Sequence, residues 1–282
     1  MKLVCLGTGS PEPSLRRASS GYMLEVGSDR ILFDCGGGVF DRLLQAGYAP
    51  GDVTHIVFSH LHSDHVMDYA RLVHAAWDAG AAPLHVLGPA PLAKMTTQLF
   101  GSDGVFAPDL RARTELDYME ALWVARGGTL PRPRPCPKVR EIGAGEAVSV
   151  GDWQLSTVDV PHASPALTCL AFRLDAGSKT FVYSGDAALC AELETLSAGA
   201  DLLLHWCIRL DGESLHPLLD ALAPTPGEIG AMATRAGVGR LLLTHFTTSM
   251  DLPEKHAEAL AAVRATFKGP VAIAEDLDVS DL

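Results

Sequence analysis

Short runs of Val, Ile, Leu and Phe that stop at Gly or Asp recur along the first ninety residues. They lie at Lys2 to Leu6, Tyr22 to Val26, Ile31 to Phe33, His55 to Ser59 and Leu84 to Leu87, each of strand length. Between His65 and Gly80 the period changes: Val66, Tyr69, Ala70, Val73, Ala76 and Trp77 fall three and four residues apart, which predicts an amphipathic helix laid on a sheet. A loop therefore joins strand 55–59 to that helix. Strands return at Ala147 to Val150, Gln154 to Val158, Thr168 to Leu174, Thr180 to Ser184, Leu202 to His205 and Leu241 to Thr244. Helical patterns fill Cys190 to Leu196, Thr225 to Ala236 and Pro253 to Phe267. The second of these opens with Thr225 as an N-cap and Pro226 in the first turn. No repeat, low-complexity tail or long linker interrupts the chain, so residues 1–282 read as one domain.

Residues 101–138 stand apart. A predicted helix at Leu110 to Ala125 is followed by Arg126-Gly-Gly-Thr-Leu-Pro-Arg-Pro-Arg-Pro-Cys-Pro-Lys138, where alternating prolines forbid helix or central strand. Arg126, Arg132, Arg134 and Lys138 occur there with no acid among them. This is an insertion: either a solvated connector, or a lid that grips anions or contacts a second copy.

Charge narrows the choice of partner. Lys plus Arg total 22 against 34 for Asp plus Glu, a formal net charge of −12, which repels long polyanions and argues against nucleic acid. The apolar start, Met1 to Leu6, is too short for a signal peptide, and even Leu72 to Pro83 is broken by His74, Asp78 and Gly80 before reaching membrane-spanning length. A cytoplasmic location is expected. Six cysteines without a C-x-x-C pair fit reduced thiols better than a disulfide frame or a thiolate zinc site, which leaves His and Asp to hold any metal.

Those residues cluster in Ser59-His60-Leu61-His62-Ser63-Asp64-His65, where a strand ends and a helix begins. His60 and His62, two apart on extended chain, can turn their imidazoles to one point. Asp64 and His65 at the helix start can serve a second point nearby. Two neighbouring cations make a shared water acidic and neutralise charge that grows on the attacked centre.

The string resembles the signature H-x-H-x-D-H of metallo-β-lactamase-fold hydrolases. Around it, Leu6-Gly7-Thr8-Gly9-Ser10, Leu32-Phe33-Asp34-Cys35-Gly36 and Leu241-Leu242-Leu243-Thr244-His245-Phe246 are similar to the branch that holds ribonuclease Z and the related zinc arylsulfatases and phosphodiesterases. The likeness covers roughly residues 1–90 and 140–250. It implies an α/β fold, the four-layer αββα sandwich, with the metals at one edge and segment 101–138 overhanging it. It also implies two divalent cations, zinc before manganese or iron. His60, His62 and His162 would hold one, Asp64, His65 and His245 the other, and Asp186 would bridge them. Asp64 is expected to orient the attacking water besides ligating, and Asp34 to accept the free N–H of a ligand imidazole. Homodimers are common in the branch, and segment 101–138 is a candidate contact.

Two features of ribonuclease Z are absent. Trp206 stands after His205 where a Glu is expected, and Ala223-Pro224-Thr225 occupies the place of a His-Ser-Thr whose histidine protonates the leaving group. The 24-residue step from His162 to Asp186 leaves no room for a long tRNA-gripping arm. His216 is the candidate substitute acid, Trp206 a candidate stacking wall, and Arg16 with Arg17 a candidate anion grip. The expected activity is hydrolysis of a small anionic ester, a phosphodiester or aryl sulfate. The alternative is a lactonase or another carboxylic ester or amide hydrolase, with tRNA 3′ processing behind both. An iron redox protein lacks a flavin domain or rubredoxin-like cysteines here, and a non-catalytic scaffold has no need for seven converging ligands.

Overall fold

The computed structural model describes all 282 residues. In chain order the strands are β1 (Lys2–Gly7), β2 (Gly21–Val26), β3 (Asp29–Phe33), β4 (His55–Val57), β5 (His85–Gly88), β6 (Lys138–Glu141), β7 (Ala147–Val150), β8 (Trp153–Asp159), β9 (Leu170–Ala176), β10 (Lys179–Tyr183), β11 (Leu202–Trp206), β12 (Leu241–Thr244), β13 (Val271–Ile273) and β14 (Val279–Asp281). The helices are α1 (Val39–Gln45), α2 (Ser63–Val66), α3 (Tyr69–Asp78), α4 (Leu92–Phe100), α5 (Ala107–Glu115), α6 (Asp117–Ala125), α7 (Ala191–Leu196), α8 (Pro217–Asp220), α9 (Pro226–Arg235) and α10 (Pro253–Thr266).

The strands form two seven-stranded sheets, ordered β14-β1-β2-β3-β4-β5-β6 and β13-β12-β11-β10-β9-β8-β7. Strand alternation decides how they stack. Leu202 and Leu204 of β11 face the first sheet, packing with Tyr22, Phe33, Phe172, Phe181 and Tyr183, whereas Leu203 between them faces Ile229, Met232 and Val263 of α9 and α10. On the other side Val4, Met23, Leu32 and Ile56 cover Val39, Tyr69, Leu72 and Leu92 of α1, α3 and α4. The result is the expected αββα sandwich. At its centre the Phe33 ring meets Phe181 edge-on at 5.4 Å between centroids. No helix is long and apolar enough to cross a membrane.

Parallel pairing sets the site edge. Within the first sheet β3 and β4 are parallel, Phe33 opposite Val57; within the second, β10, β11 and β12 are parallel, Tyr183 opposite Leu204 and Trp206 opposite Thr244. Their carboxyl ends emerge together, and a hydrogen bond from Leu170 N–H to the Ser59 carbonyl at 2.9 Å ties the sheets there.

Two helical expectations need correction. The single helix over 65–80 is α2 and α3, broken at Met67 and Asp68, where the Asp68 N–H leaves the helical ladder to donate to the Cys35 carbonyl at 3.0 Å and its carboxylate accepts the Gly38 and Phe40 N–H groups at the start of α1. The helix expected over 110–125 breaks at Leu116, which is extended at ψ 130°, into α5 and α6. The insertion is tied to the helical layer through Arg132. Arg132 lies over Trp77 at 3.9 Å and Trp123 at 4.6 Å and pairs with Asp78 at 2.8 Å, which moors it to the carboxyl end of α3. Since α3 starts just past the histidine motif and rises about 1.5 Å per residue, its last residue lies about 14 Å from its first. Arg134 is paired with Glu115 at 2.9 Å, so two of the four basic residues of the run are neutralised by acids outside it.

Candidate functional site

All seven expected donors sit where strands of the two sheets end: His60, His62, Asp64 and His65 after β4, His162 after β8, Asp186 after β10 and His245 after β12. They gather into two groups. The donor atoms of His60, His62 and His162 lie within 4.8 Å of one another, as do those of Asp64, His65, Asp186 and His245. His62 Nδ1 is 2.9 Å from His60 Nε2 and 3.3 Å from His162 Nε2. Asp186 Oδ2 is 3.2 Å from His245 Nε2, 3.5 Å from His65 Nε2 and 3.7 Å from His162 Nε2, and so reaches both groups.

The spacing can be tested against a cation. Donors about 2.0–2.2 Å from a tetrahedral metal stand about 3.3–3.6 Å apart, which matches most of these separations. His65 Nε2 and Asp186 Oδ1, both buried, have no hydrogen-bond partner in the protein, a costly arrangement unless something else meets them. The residues present fit a pair of divalent ions.

Backbone geometry at the site is also unusual. Asp34, His245 and Leu277 are the non-glycine residues with positive φ; the first two lie at the site, at 56° and 63°, where such strain tends to be retained for a purpose. Close approach of the loops needs Gly36: a Cβ there would come within 2.0 Å of the Asp64 carbonyl oxygen. The Cys35 N–H donates to the His65 carbonyl at 2.8 Å, pressing the turn after β3 against the histidine motif.

Burial and charge divide the histidines. Burial drives His60 well below its usual value, with the His65 charge adding to the effect, and burial also lowers His162. Burial opposes protonation of His65 too, but the neighbouring Asp186 and Asp34 carboxylates overcome it and raise His65 well above its ordinary value. Asp186 would be raised by burial, yet the His245 and His65 charges hold it well below the carboxylate range.

Asp34, fully buried, accepts from His65 Nδ1 at 2.8 Å and from the Tyr183 hydroxyl at 2.7 Å. Its oxygens also take the Ser59 N–H and hydroxyl, each at 2.8 Å. Neither Ser59 nor Tyr183 figures among the sequence candidates. Ser59 heads the histidine string, and the alternation Phe181, Tyr183 turns the phenol toward the opposite sheet.

Four substrate-side expectations fail. Trp206 does border the site, its ring 5.5 Å from that of His162 and 5.8 Å from His245, but it is only 4% exposed and its indole N–H donates to the Ala187 carbonyl at 2.7 Å. It has no free face for a leaving group. Arg17 is buried, with Nη1 donating to Thr8 Oγ1 and the Ala274 carbonyl and Nη2 to Glu275; Nε stands 2.8 Å from Asp251. Arg16, though exposed, is spent on both oxygens of Glu275. His216 is the exposed N-cap of α8, its Nδ1 accepting the Leu218 N–H, and no hydrogen bond or ion pair joins it to the seven. A third acidic group, Asp251, His256 and Glu275, is neutralised by these two arginines and offers a cation nothing.

With this geometry the chain belongs to the β-lactamase superfamily of metallo-hydrolases: residues 29–246 match the model of the Beta-lactamase superfamily domain. Within it, the chain is similar to ribonuclease Z proteins. That of Mycobacterium sp. (strain KMS) is 30% identical, over 98% of this chain and 94% of the relative, and that of Mycobacterium bovis (strain BCG / Pasteur 1173P2) 29% identical, over 98% and 96%. Among solved structures, the metallo-β-lactamase fold protein YhfI from Bacillus subtilis superposes with a TM-score of 0.76 at 23% identity, covering 99% of each chain. The short form of human tRNase Z gives 0.69 at 20% identity, covering 100% of this chain and 99% of that one. Both likenesses are in fold.

Proposed function

We propose that this hydrolase cleaves a phosphodiester, with His60, His62 and His162 holding one divalent cation, Asp64, His65 and His245 a second, and Asp186 shared between them. The observation that carries the reading is the reach of Asp186 Oδ2, 3.2–3.7 Å from imidazoles of both groups. Histidine nitrogen with carboxylate oxygen is a donor set suited to zinc, and manganese or iron would accept it too. Two such cations, when bound, acidify water and neutralise charge on the phosphoryl oxygens.

The chain's own residues do the rest. Asp64 Oδ2, 3.2 Å from His245 Nε2 and 3.4 Å from His65 Nε2, is placed to accept a proton from water lying between the groups and to orient it. Trp206 closes the flank beside His162 and His245 and excludes bulk water from it. The carboxylates of Asp64 and Asp186 give the bare site a negative field that draws cations in and repels a phosphodiester until they arrive.

A small phosphodiester is the substrate the geometry supports best. Arg16 and Arg17 are committed to acids, Arg42 to Asp276, and Arg132 and Arg134 of the insertion to Asp78 and Glu115, so these arginines supply no free basic track for a long polyanion. RNA is the second reading, favoured by relatives named ribonuclease Z across nearly the whole chain; their name weighs against the expectation from net charge that nucleic acid is an unlikely partner. Both readings share phosphodiester chemistry, whereas aryl sulfates and lactones draw no support from those relatives. The test is to assay the zinc-loaded chain on bis(p-nitrophenyl) phosphate and on a 3′-extended tRNA precursor, beside Asp64→Ala. Zinc-dependent turnover of the first alone, lost in the variant, supports the small substrate. Site-specific cleavage of the precursor moves the assignment to RNA, and turnover of neither overturns both.

A further inference from the structure

We infer that Ser59 is a positioning residue through which the single carboxylate of Asp34 fixes the ring tautomer of one histidine in each metal pocket, His65 directly and His60 by relay. The inference rests on the proposed assignment of the two pockets. Its warrant is a count of protons. A carboxylate has no proton to give, and Asp34 stands among four donors in a site where Asp34, Ser59, His60 and His65 are all fully buried. The Ser59 hydroxyl carries one proton and directs it to Asp34 Oδ2 at 2.8 Å. Ser59 Oγ also lies 3.0 Å from His60 Nδ1, and having no second proton it must accept there. His60 therefore carries its hydrogen on Nδ1 and presents a bare Nε2 to the first pocket, where His62 Nδ1 waits 2.9 Å away.

The same carboxylate oxygen receives His65 Nδ1–H at 2.8 Å, which leaves Nε2 for the second pocket, 3.4 Å from Asp64 and 3.5 Å from Asp186. Tautomers are set by whichever partner the second nitrogen meets. Here one buried carboxylate orients both rings, His65 by direct contact and His60 through the Ser59 hydroxyl, so the two pockets share an anchor. The remaining donors, the Ser59 N–H and the Tyr183 hydroxyl, hold the carboxylate in place. The left-handed backbone at Asp34, φ 56°, is what turns its side chain back under the histidine motif.

The two routes separate by mutation. Partners of this kind typically change metal affinity by about 10–100-fold. In zinc titrations of the full chain, Ser59→Ala should weaken one of two binding steps by about that factor and leave the other within threefold. Asp34→Asn should weaken both, and Ser59→Thr, which keeps the hydroxyl, should restore the first. A side chain needed only for packing would shift both steps together or neither, and either result overturns the inference. The wild-type protein supplies a test independent of any variant's folding: long-range proton–nitrogen NMR of its histidines, before and after zinc, should find the His60 proton on Nδ1. A proton on Nε2 overturns the inference while leaving the metal assignment intact. Failure of the wild-type chain to bind two zinc ions would instead overturn the assignment.

Discussion

His205 offers a measurement of how the sheet beneath the site responds to acid. Its imidazole lies at the end of β11, fully buried, with Nδ1 donating to the Trp206 carbonyl at 2.8 Å and Nε2 meeting no partner. A charge there would be unsolvated, and burial lowers its pKa from 6.5 to about 4. The sign follows from linkage. A group depressed in the folded state binds its proton more readily when unfolded, so its contribution is present above about 6.5 and drains away as pH falls toward the folded value. At about 1.36 kcal/mol per decade the full loss is about 3 kcal/mol, of which about 2.5 kcal/mol has gone by pH 4.5. His205→Leu removes the titration and forfeits the bond to Trp206, a pH-independent loss of about 1 kcal/mol. Urea unfolding of the chelated protein at pH 7.5 and 4.5 should therefore find the wild type more stable by about 1 kcal/mol at the higher pH and less stable by about 1.5 kcal/mol at the lower. Because His60 and His162 titrate in both proteins, they cancel from the difference. A gap between the two proteins that is the same at both pH values would refute the buried, neutral state of this ring.

Other side chains carry equally specific expectations. Arg132→Ala strips the guanidinium from between Trp77 and Trp123 and should lower stability by about 2–3 kcal/mol, while phosphodiester turnover stays within twofold; a folded variant that loses turnover would place the insertion at the site after all. Arg17→Ala leaves Asp251 and Glu275 without their buried partner and should cost about 3–5 kcal/mol, whereas the exposed Arg16→Ala should cost under about 1 kcal/mol, an order that thermal melts can reverse. The raised pKa of His65 stabilises the metal-free fold fully below about pH 6.5 and is lost as pH rises through its folded value. The melting temperature of chelated protein should accordingly fall across that alkaline range, and zinc-loaded protein, in which the metal replaces the proton, should show no such fall; parallel curves would contradict the assignment of His65 as a ligand.

What could be read from the chain, and what could not, divides along one physical line. A histidine motif after an apolar strand is local: its four donors lie within six residues, and the fold need only end a strand and start a helix to bring them together. The later candidates are each isolated, but each closes a strand that ends at the same edge: Asp186 and His245 through the parallel run of β10, β11 and β12, and His162 because β8 is antiparallel to β9, which is itself antiparallel to β10, so the strand pattern carries them once the motif is seen. Availability is different in kind. Arg16 and Arg17 look like an anion grip until Glu275 arrives, 259 and 258 residues away; Arg132 looks free until Asp78 and Trp77 meet it across the insertion; Trp206 looks like a platform until Ala187 takes its N–H. In each case the side chain's type is plain and its partner is remote, and a buried cation or indole must find some partner wherever it sits. Ser59 and Tyr183 fail in the opposite direction, because a hydroxyl gains a role only from the carboxylate that the folded sheets deliver to it. Asp34 is the residue that joins the two cases: a turn position by its place before Gly36-Gly37-Gly38, and an orienting group because its left-handed backbone returns the carboxylate to the motif rather than to water.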